Sequence, residues 1–272
     1  MPEESFTILM CTYSKDDPHL LEKAIESVFR NTTKPDSFIL TIDGPIPKIN
    51  QKIINRISKE YPIRLNYIKE NLGLASALNE SLKLVETKWI ARADSDDINL
   101  KNRFAEQLKF VGLNIDVIGS NILEIDNNGG STLLTKEIPL TNQEIRKYIQ
   151  YRNPINHMTA FYKTDLIRSV GGYPDIYLRE DYALWAKLFH KNAVFHNINK
   201  ILVHVNGGKS LYKRRGGFKN AYAELKLQII LYKYKIKPLY LVLFHLILRT
   251  IILLLPAKVL EKIYILYLRK SI

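Results

Sequence analysis

The chain has 272 residues, 46% of them apolar, which is enough for one large domain with a buried core plus a short appendage. Its single cysteine, Cys11, excludes an intrachain disulfide framework and fits a reducing compartment. Cys11 lies in the first apolar run, as expected of a small packed residue. The short acidic N-terminus lacks a basic region followed by an apolar one, so we expect no signal peptide.

The net charge of +13 is distributed unevenly along the chain. Residues 201–272 hold 14 Lys and Arg but only two acidic residues, whereas the first 200 residues hold 26 basic and 25 acidic residues. A nearly neutral body with a basic C-terminal segment predicts an anionic partner for that segment. Nucleic acid and an anionic membrane surface are the two candidates.

The first 111 residues alternate between short apolar runs and segments whose apolar residues recur at helical spacing. The predicted strands are 5–12, 37–42, 63–68 and 88–93, and the predicted helices are 20–29, 49–57, 74–85 and 103–111. A helix-like pattern also opens at 98–101. This alternation predicts an α/β fold with a doubly wound, mainly parallel mixed sheet flanked by helices.

Beyond residue 115 the order of elements changes. We predict a strand at 116–125, a turn at 127–130, helices at 164–170 and 181–189, an extended segment at 194–205 and a glycine-rich basic loop at 206–217.

The residues from 218 onward differ in kind from the body and form a predicted helical tail, 218–272. An apolar run at 239–255 contains His245, Arg249 and Thr250, and an arginine at mid-bilayer depth is costly, so a simple membrane span is not favoured. After Pro256 the pattern predicts an amphipathic basic helix of the kind that lies in the interface of anionic bilayers. Packing of these helices on the body or on a second subunit is the alternative.

The segment Asp94-Ser95-Asp96-Asp97 places carboxylates after a predicted strand, at the sheet edge where open α/β folds bind ligands. Two carboxylates one residue apart can share a divalent cation, and hard oxygen ligands suit Mg²⁺ or Mn²⁺. A metal there would neutralise a diphosphate. Taken alone the motif is weak, because most such runs are turns or helix caps.

Other polar residues follow neighbouring predicted strands. Thr12 and Tyr13 end the first strand and Asp43 ends the second, so in a parallel sheet they meet the aspartate cluster at one edge. Glu180 and Asp181 open a later helix. This edge suits a nucleotide with its diphosphate on a metal.

The ordered combination of motifs resembles a family 2 glycosyltransferase with a GT-A fold, of the kind that builds bacterial capsule, O-antigen or exopolysaccharide. The resemblance spans about residues 5–217, which gives a predicted catalytic domain at 1–217. The matching stretches are 8–13, 71–75, 92–97, Asn153-Pro154-Ile155-Asn156-His157-Met158, Gly171-Gly172-Tyr173, 180–185 and 214–217. No Gln-x-x-Arg-Trp element follows Asp181, which favours transfer of a single sugar over processive synthesis.

The resemblance implies roles residue by residue. The implied donor-site residues are Thr12, Tyr13, Asp43, Asn71, Gly73, Arg92, Asp94, Arg214 and Arg215. Asp96, with Asp94, would bind Mn²⁺ or Mg²⁺; His157 and Trp185 would contact substrate. Asp181 would be the catalytic base that takes the acceptor hydroxyl proton, and Glu180 would orient the acceptor or the base. From local sequence alone, Asp43 is explained equally well as a turn former before Gly44. For the acid pair, the commoner explanation from local sequence is a pair of N-terminal helix acids favoured by the helix dipole.

The expected partners are a nucleotide-sugar donor, most simply a UDP-sugar, a polyprenyl-diphosphate-linked saccharide acceptor, and an anionic membrane surface. The expected location is the cytoplasmic face of the bacterial plasma membrane, as a peripheral protein. A sugar-nucleotide nucleotidyltransferase is disfavoured, because 10–16 contains no glycine for a phosphate loop. A nucleic-acid binder that stacks bases on tail tyrosines would leave the long apolar run without a role, so no nucleic acid is expected.

Overall fold

The computed structural model describes residues 4–126, 134–207, 217–253 and 270–271. Four parallel strands form the first half of the sheet, in the order β4-β1-β2-β3. They are β1 (Phe6–Thr12), β2 (Ser37–Asp43), β3 (Arg64–Ile68) and β4 (Trp89–Arg92). Strands β1, β2 and β4 are buried along nearly their whole length, as expected for parallel strands covered by helices on both faces.

Helices connect these strands, close to where the sequence predicts them. They are α1 (Pro18–Phe29), α2 (Lys48–Glu60), α3 (Leu74–Lys83) and α4 (Arg103–Leu108). Helix α1 begins where a local signal marks its start: the Asp17 side chain accepts from the backbone N–H groups of His19 and Leu20, and Pro18 occupies the first turn.

The second half of the sheet is mixed. Its strands are β5 (Ile98–Asn99), β6 (Val117–Asp126), β7 (Leu134–Lys136), β8 (Phe161–Lys163), β9 (Phe195–Gly207) and β10 (Lys270–Ser271). Strand β8 runs antiparallel between β4 and β6, β7 is antiparallel to β6, and β9 is parallel to β6. The predicted parallel sheet is therefore confirmed for β1 to β4 and gives way to mixed pairing beyond β4.

The helix-like pattern at 98–101 was misread from sequence. Ile98 and Asn99 form strand β5, which pairs with His204 and Val203 of β9. A partner strand more than a hundred residues away decides this conformation, so the local pattern does not reveal it.

The remaining helices are α5 (Asn142–Tyr148), a 3₁₀ turn (His157–Thr159), α6 (Thr164–Ser169), α7 (Glu180–His190), α8 (Phe218–Lys233) and α9 (Leu239–Leu253). Helix α5 is not among the helices predicted from sequence, although Thr141 and Glu144 form a capping box at its start.

The described part of the tail packs on the body. Ala223, Leu227 and Leu231 of α8 are buried in the same apolar cluster as α7, and α9 packs against α8. This packing is the alternative that the sequence left open, and residues on both sides of residue 217 share one apolar core. The domain boundary expected at residue 217 stays a prediction. Within the described ranges, no helix is both long and apolar enough to cross a membrane. The amphipathic helix expected after Pro256 lies outside the described residues.

Candidate active site

The carboxyl ends of three parallel strands lie side by side. Thr12 of β1 is in register with Ile42, next to Asp43 at the end of β2, and Leu9 of β1 is in register with Arg92 at the end of β4. The predicted meeting of these polar residues at one sheet edge is therefore confirmed by the strand pairing. Thr12 is buried there and Tyr13 is half-buried.

Asp43 holds the loop that precedes α3. Its Oδ1 accepts from the backbone N–H of Leu72 at 2.7 Å, and its Oδ2 accepts from the backbone N–H of Gly73 at 2.9 Å and the Asn71 amide at 3.0 Å. The structure thus brings Asp43, Asn71 and Gly73 together. A hydrogen bond from Asp43 to a nucleotide base stays a prediction.

Gly44 allows this loop to approach the end of β2. Its φ is +82°, and a Cβ placed there would lie 2.6 Å from the backbone nitrogen of Asn71. A side chain at residue 44 would therefore be strained and would push the Asn71 backbone away from Asp43.

Asp16, which the sequence analysis did not single out, joins the β1 loop to the aspartate cluster. Its Oδ2 accepts from the Ser95 hydroxyl at 2.7 Å and from the backbone N–H of Tyr13 at 3.3 Å. Burial raises the pKa of Asp16 above its ordinary value. The sequence signal was present as Asp16-Asp17-Pro18, but helix capping accounts for only Asp17.

A buried arginine contacts the aspartate cluster through Asp94. Arg92 is almost fully buried and forms an ion pair with Oδ1 of Asp94. The second buried arginine, Arg103, donates from Nη2 to the backbone oxygen of Arg92 at 2.7 Å and fixes the turn that carries the aspartates.

The aspartate cluster carries excess negative charge, which suits a divalent cation. Burial raises the pKa of Asp97 well above its ordinary value, and the charges of Asp94 and Asp96 raise it further. Oδ1 of Asp97 accepts from the backbone N–H of Asn206 at 2.9 Å, while its buried Oδ2 has no hydrogen-bond partner.

Among the described residues no three His, Cys, Asp or Glu side chains form a closed metal site. Mg²⁺-type sites built from one or two carboxylates and substrate phosphates do not need one.

Glu180 and Asp181 open helix α7. Oδ2 of Asp181 accepts from the Asn153 amide at 2.5 Å, and its Oδ1 accepts from the backbone N–H of Tyr182 at 2.7 Å. Burial raises the pKa of Asp181, and burial together with the Asp181 charge raises the pKa of Glu180 to about 7. The pair therefore has a group poised to exchange a proton near neutral pH.

Arg92 connects the two carboxylate clusters electrostatically. It pairs with Asp94, and its charge also lowers the pKa of Glu180 against the effect of burial. The aspartates after β4 and the acid pair of α7 thus share one electrostatic environment, although about 85 residues separate them in sequence.

Two predicted substrate residues are placed differently from expectation. Trp185 is 0% exposed and packs edge-on against His157, Tyr162 and Phe195, so its predicted substrate contact is wrong and it is a core residue. The reason is that Trp185 lies on the apolar inner face of α7.

His157 is also buried, and its Nε2 lies 3.1 Å from the Tyr173 hydroxyl. Burial and the charge of Arg92 lower its pKa well below the ordinary value, so His157 is neutral.

The two arginines expected to bind the diphosphate, Arg214 and Arg215, lie outside the described residues. Their predicted role therefore stays a prediction.

Comparison with known proteins decides the family. The model of "Glycosyl transferase family 2" matches residues 7–170, which include the strand ends and the aspartate cluster. The chain belongs to glycosyl transferase family 2. This family 2 enzyme is therefore a glycosyltransferase.

Two bacterial relatives extend over most of the chain. The family 2 enzyme is 38% identical over 230 residues to the UDP-Gal:α-D-GlcNAc-diphosphoundecaprenol β-1,3-galactosyltransferase of Escherichia coli, a match that covers 84% of this chain and 83% of that protein. It is 29% identical over 261 residues to the amylovoran biosynthesis glycosyltransferase AmsE of Erwinia amylovora, covering 95% and 97%.

Solved structures show the same fold at low sequence identity. TarS 1–349 of S. aureus, in complex with UDP-GlcNAc, superposes with a TM-score of 0.63 at 15% identity, covering 84% of this chain and 66% of that one. The mannosyltransferase PcManGT of Pyrobaculum calidifontis superposes with a TM-score of 0.60 at 12% identity, covering 96% and 87%. The GT-A-type α/β fold expected from the sequence is confirmed.

Proposed function

We propose that this enzyme is an inverting glycosyltransferase that moves one sugar from a UDP-sugar to a polyprenyl-diphosphate-linked saccharide during synthesis of a cell-surface polysaccharide. The activity for which the E. coli relative is named, in a protein 38% identical to this chain, supports both the donor and the acceptor class. UDP-galactose is the first donor to test. The relative named for amylovoran biosynthesis supports the polysaccharide context.

The observation that carries the proposal is the meeting of the carboxyl ends of β1, β2 and β4 at one edge of the sheet, where Asp43 and the ion pair of Arg92 with Asp94 lie. The charge of Arg92 also acts on the pKa of Glu180 at the start of α7. A nucleotide diphosphate at the edge and an acceptor hydroxyl at Asp181 would then lie within one continuous site. We assign the donor side to Thr12, Tyr13, Asp43, Asn71 and Gly73.

The reaction uses the acid pair as follows. Asp181 takes the proton from the acceptor hydroxyl while that oxygen bonds to the anomeric carbon. The bond between the anomeric carbon and the diphosphate oxygen breaks, and the nucleoside diphosphate leaves with its electron pair. Attack from the side opposite the leaving group inverts the anomeric configuration. Glu180, buried beside Asp181, orients this carboxylate.

Asp96 and Asp94 are the residues that would hold Mn²⁺ or Mg²⁺, and a bound cation supplies positive charge to the leaving diphosphate. The mutual repulsion within the aspartate cluster supports this assignment.

We further propose that the protein associates peripherally with the cytoplasmic face of the plasma membrane through its tail helices. The outer face of α9 exposes apolar side chains, and the basic residues of the tail favour anionic lipid. This exposed row consists of Leu239, Tyr240, Leu243, Phe244, Ile247 and Leu248.

The test is a transfer assay with purified protein, Mn²⁺ and a synthetic GlcNAc-diphosphate-lipid acceptor. UDP-galactose, UDP-glucose and UDP-GlcNAc are compared with GDP- and dTDP-sugars. We expect one UDP-sugar to give product of inverted anomeric configuration, with activity lost in Asp96→Asn and Asp181→Asn. Transfer only from a GDP- or dTDP-sugar would overturn the donor assignment, and full activity in both variants would overturn the assigned chemistry.

Ligand binding gives an independent readout. A nucleotide that binds only the folded protein stabilises it by about 2.7 kcal/mol at a hundredfold excess over its dissociation constant. We expect UDP with Mn²⁺ to raise the melting temperature of the wild type and not that of Asp96→Asn.

A further inference from the structure

A cluster of charged and polar side chains lies between the tail helices and the start of α7. At its centre is Glu224 of α8, whose side chain is 1% exposed. Oε2 of Glu224 pairs with Nε of Arg179 at 3.2 Å, and its Oε1 accepts from Nη1 of Arg249 at 3.0 Å and from the Gln228 amide at 2.6 Å. The carboxylate therefore joins α8 to two other segments, the turn before α7 and helix α9, and Gln228 of α8 itself completes its hydrogen bonds. Such a buried group is a firm cross-link, because leaving any partner unpaired is costly.

The first arm of this cross-link reaches the turn that carries the acid pair. Arg179 directly precedes Glu180 and Asp181, and its Nη1 donates to the backbone oxygen of Leu178 at 2.8 Å. Leu178 has φ of +54°, a left-handed conformation that non-glycine residues hold only when their surroundings impose it.

The second arm reaches the residues on the other side of Asp181. Nη2 of Arg249 donates to the backbone oxygen of Tyr151, two residues before Asn153, whose amide hydrogen-bonds Asp181. Both segments that flank Asp181 are therefore attached to the same carboxylate of α8.

We propose that Glu224 is a positioning residue of the transfer reaction: by bridging Arg179 and Arg249 it holds the two segments on either side of Asp181 in the geometry that proton transfer requires. This inference rests on the proposed role of Asp181 as the base. It gives the tail helices a part in catalysis that is separate from membrane binding.

The charges support the geometry. Burial alone would raise the pKa of Glu224, but Arg249, Arg179 and the Gln228 hydrogen bond bring it below its ordinary value, so Glu224 is ionised. Its negative charge offsets that of Arg179, which otherwise acts directly on the acid pair. Within the described part of the chain, the charged or titratable groups that act on Glu180 and Asp181 are Arg92 of β4, Lys136 of β7, Tyr173, Arg179 and, behind Arg179, Glu224 and Arg249.

The first experiment compares Glu224→Gln with the wild type in the full chain. We expect kcat to fall about 10- to 100-fold, as for other small misplacements of reacting groups, with KM for the UDP-sugar unchanged. The acid limb of the kcat–pH profile should move to lower pH, because Arg179 without its counter-ion stabilises the ionised acid pair. A purely structural role would lower activity and folded fraction together without moving the limb.

Arg249→Gln should shift the acid limb of the kcat–pH profile in the opposite direction. With Arg249 removed, the Glu224 charge offsets Arg179 more completely, so the acid limb should move to higher pH. Arg249→Gln also tests the inference if Glu224→Gln does not fold. Arg179→Lys is the conservative replacement, and we expect it to retain most of the activity. Identical pH profiles in all folded variants would overturn the proposal.

Glu106→Gln is the matched control. The Glu106 carboxylate also bridges two cations, Lys109 at 2.9 Å and Lys200 at 3.0 Å, but it lies on α4. We expect neither kcat nor the pH profile to change. Retained activity in Asp181→Asn would count against the proposed function itself, whereas lost activity there together with an unaltered Glu224→Gln profile would count only against the role of Glu224.

Discussion

The side-chain amide of Asn153 donates a hydrogen bond of 2.5 Å to Oδ2 of Asp181. Asn153 follows α5 and Asp181 begins α7, so this contact depends on how two distant segments pack. The side-chain oxygen of Asn153, Oδ1, accepts a hydrogen bond from the backbone N–H of Ile155 at 3.3 Å, and this fixes the orientation of the amide. The amide nitrogen therefore points at the carboxylate and favours its ionised form.

Asn153→Ala should lower kcat by roughly 10- to 100-fold at neutral pH, the equivalent of losing one charge-assisted hydrogen bond. The carboxylate would lose both orientation and stabilisation of its basic form. The measurement is steady-state transfer from the UDP-sugar. Asn102→Ala, at an exposed residue before α4 whose side chain makes no capping hydrogen bond, is the control and should behave as wild type. Wild-type turnover in Asn153→Ala would contradict the assignment of Asp181.

Because the pKa of Glu180 is raised to about 7, the free energy of unfolding should depend on pH in a direction that can be predicted. Between about pH 4.5 and 7 the folded state keeps a proton that the unfolded state has released. The contribution of Glu180 to the free energy of unfolding is thus fully present at low pH and is lost as pH rises through 7. Glu180→Gln stays neutral, so its stability relative to wild type should be greater at pH 8 than at pH 5, because most of the wild-type loss falls between these two pH values. Urea denaturation at both pH values measures this, and an equal difference at both would refute it.

Two glycines with nearly the same φ angle allow the effect of backbone strain to be distinguished from that of a steric clash. Gly44 and Gly112 have φ of +82° and +86°, but a Cβ at Gly112 meets nothing within 4 Å. Gly112→Ala should cost about 1 kcal/mol of stability from backbone strain alone. Gly44→Ala should cost more and also weaken UDP binding, because it displaces the Asn71 backbone. Melting temperature and UDP titration distinguish the two, and equal effects in both variants would be contrary to expectation.

Asp97→Asn should raise the melting temperature of the ligand-free protein, because it replaces a carboxyl group whose ionisation is opposed by burial and by the charges of Asp94 and Asp96. The new amide oxygen can still accept the hydrogen bond from the backbone N–H of Asn206. The same change should reduce the thermal shift produced by UDP with Mn²⁺. Stability gained with loss of ligand response is typical of sites that hold like charges together for function. A lower melting temperature without ligand would show that Asp97 is primarily structural.

The outer face of α9 should determine binding to lipid vesicles. Phe244 and Ile247 are 59% and 64% exposed, and replacing both with Glu adds repulsion from anionic lipid to the loss of apolar contact. We expect the double variant to stay in the supernatant when wild type sediments with phosphatidylglycerol vesicles. Leu113→Glu, which alters a similarly exposed apolar residue (61%) between α4 and β6, is the control. Equal sedimentation of all three proteins would argue against this membrane contact.

The sequence predicts the first half of the fold well because its signals are local. Apolar runs, helical spacing and Asp17-Pro18 define β1 to β4 and their helices without reference to distant residues. The parallel order then brings Asp43 and the residues from Arg92 to Asp97 to one edge, so most of the donor side could be predicted. Strand β5 was misread because pairing with β9 decides it.

Contacts between distant segments account for what the sequence did not show. Asn153 was part of a recognised motif, but its bond to Asp181 depends on the packing of α7. Trp185 lies in a motif next to the acid pair, and only the inward face of that helix shows that it is buried. Glu224 stands out in sequence merely as one of two acids in a basic tail.

Cys11, half-buried at the end of β1, has a pKa raised by burial to about 12. At neutral pH it exists almost entirely as the thiol, which is not the nucleophilic form. We therefore expect Cys11 to react slowly with alkylating reagents at neutral pH. A cysteine introduced at an exposed residue of α9 would be labelled selectively, and an environment-sensitive fluorophore there would report its depth in the bilayer while the donor site remains unmodified.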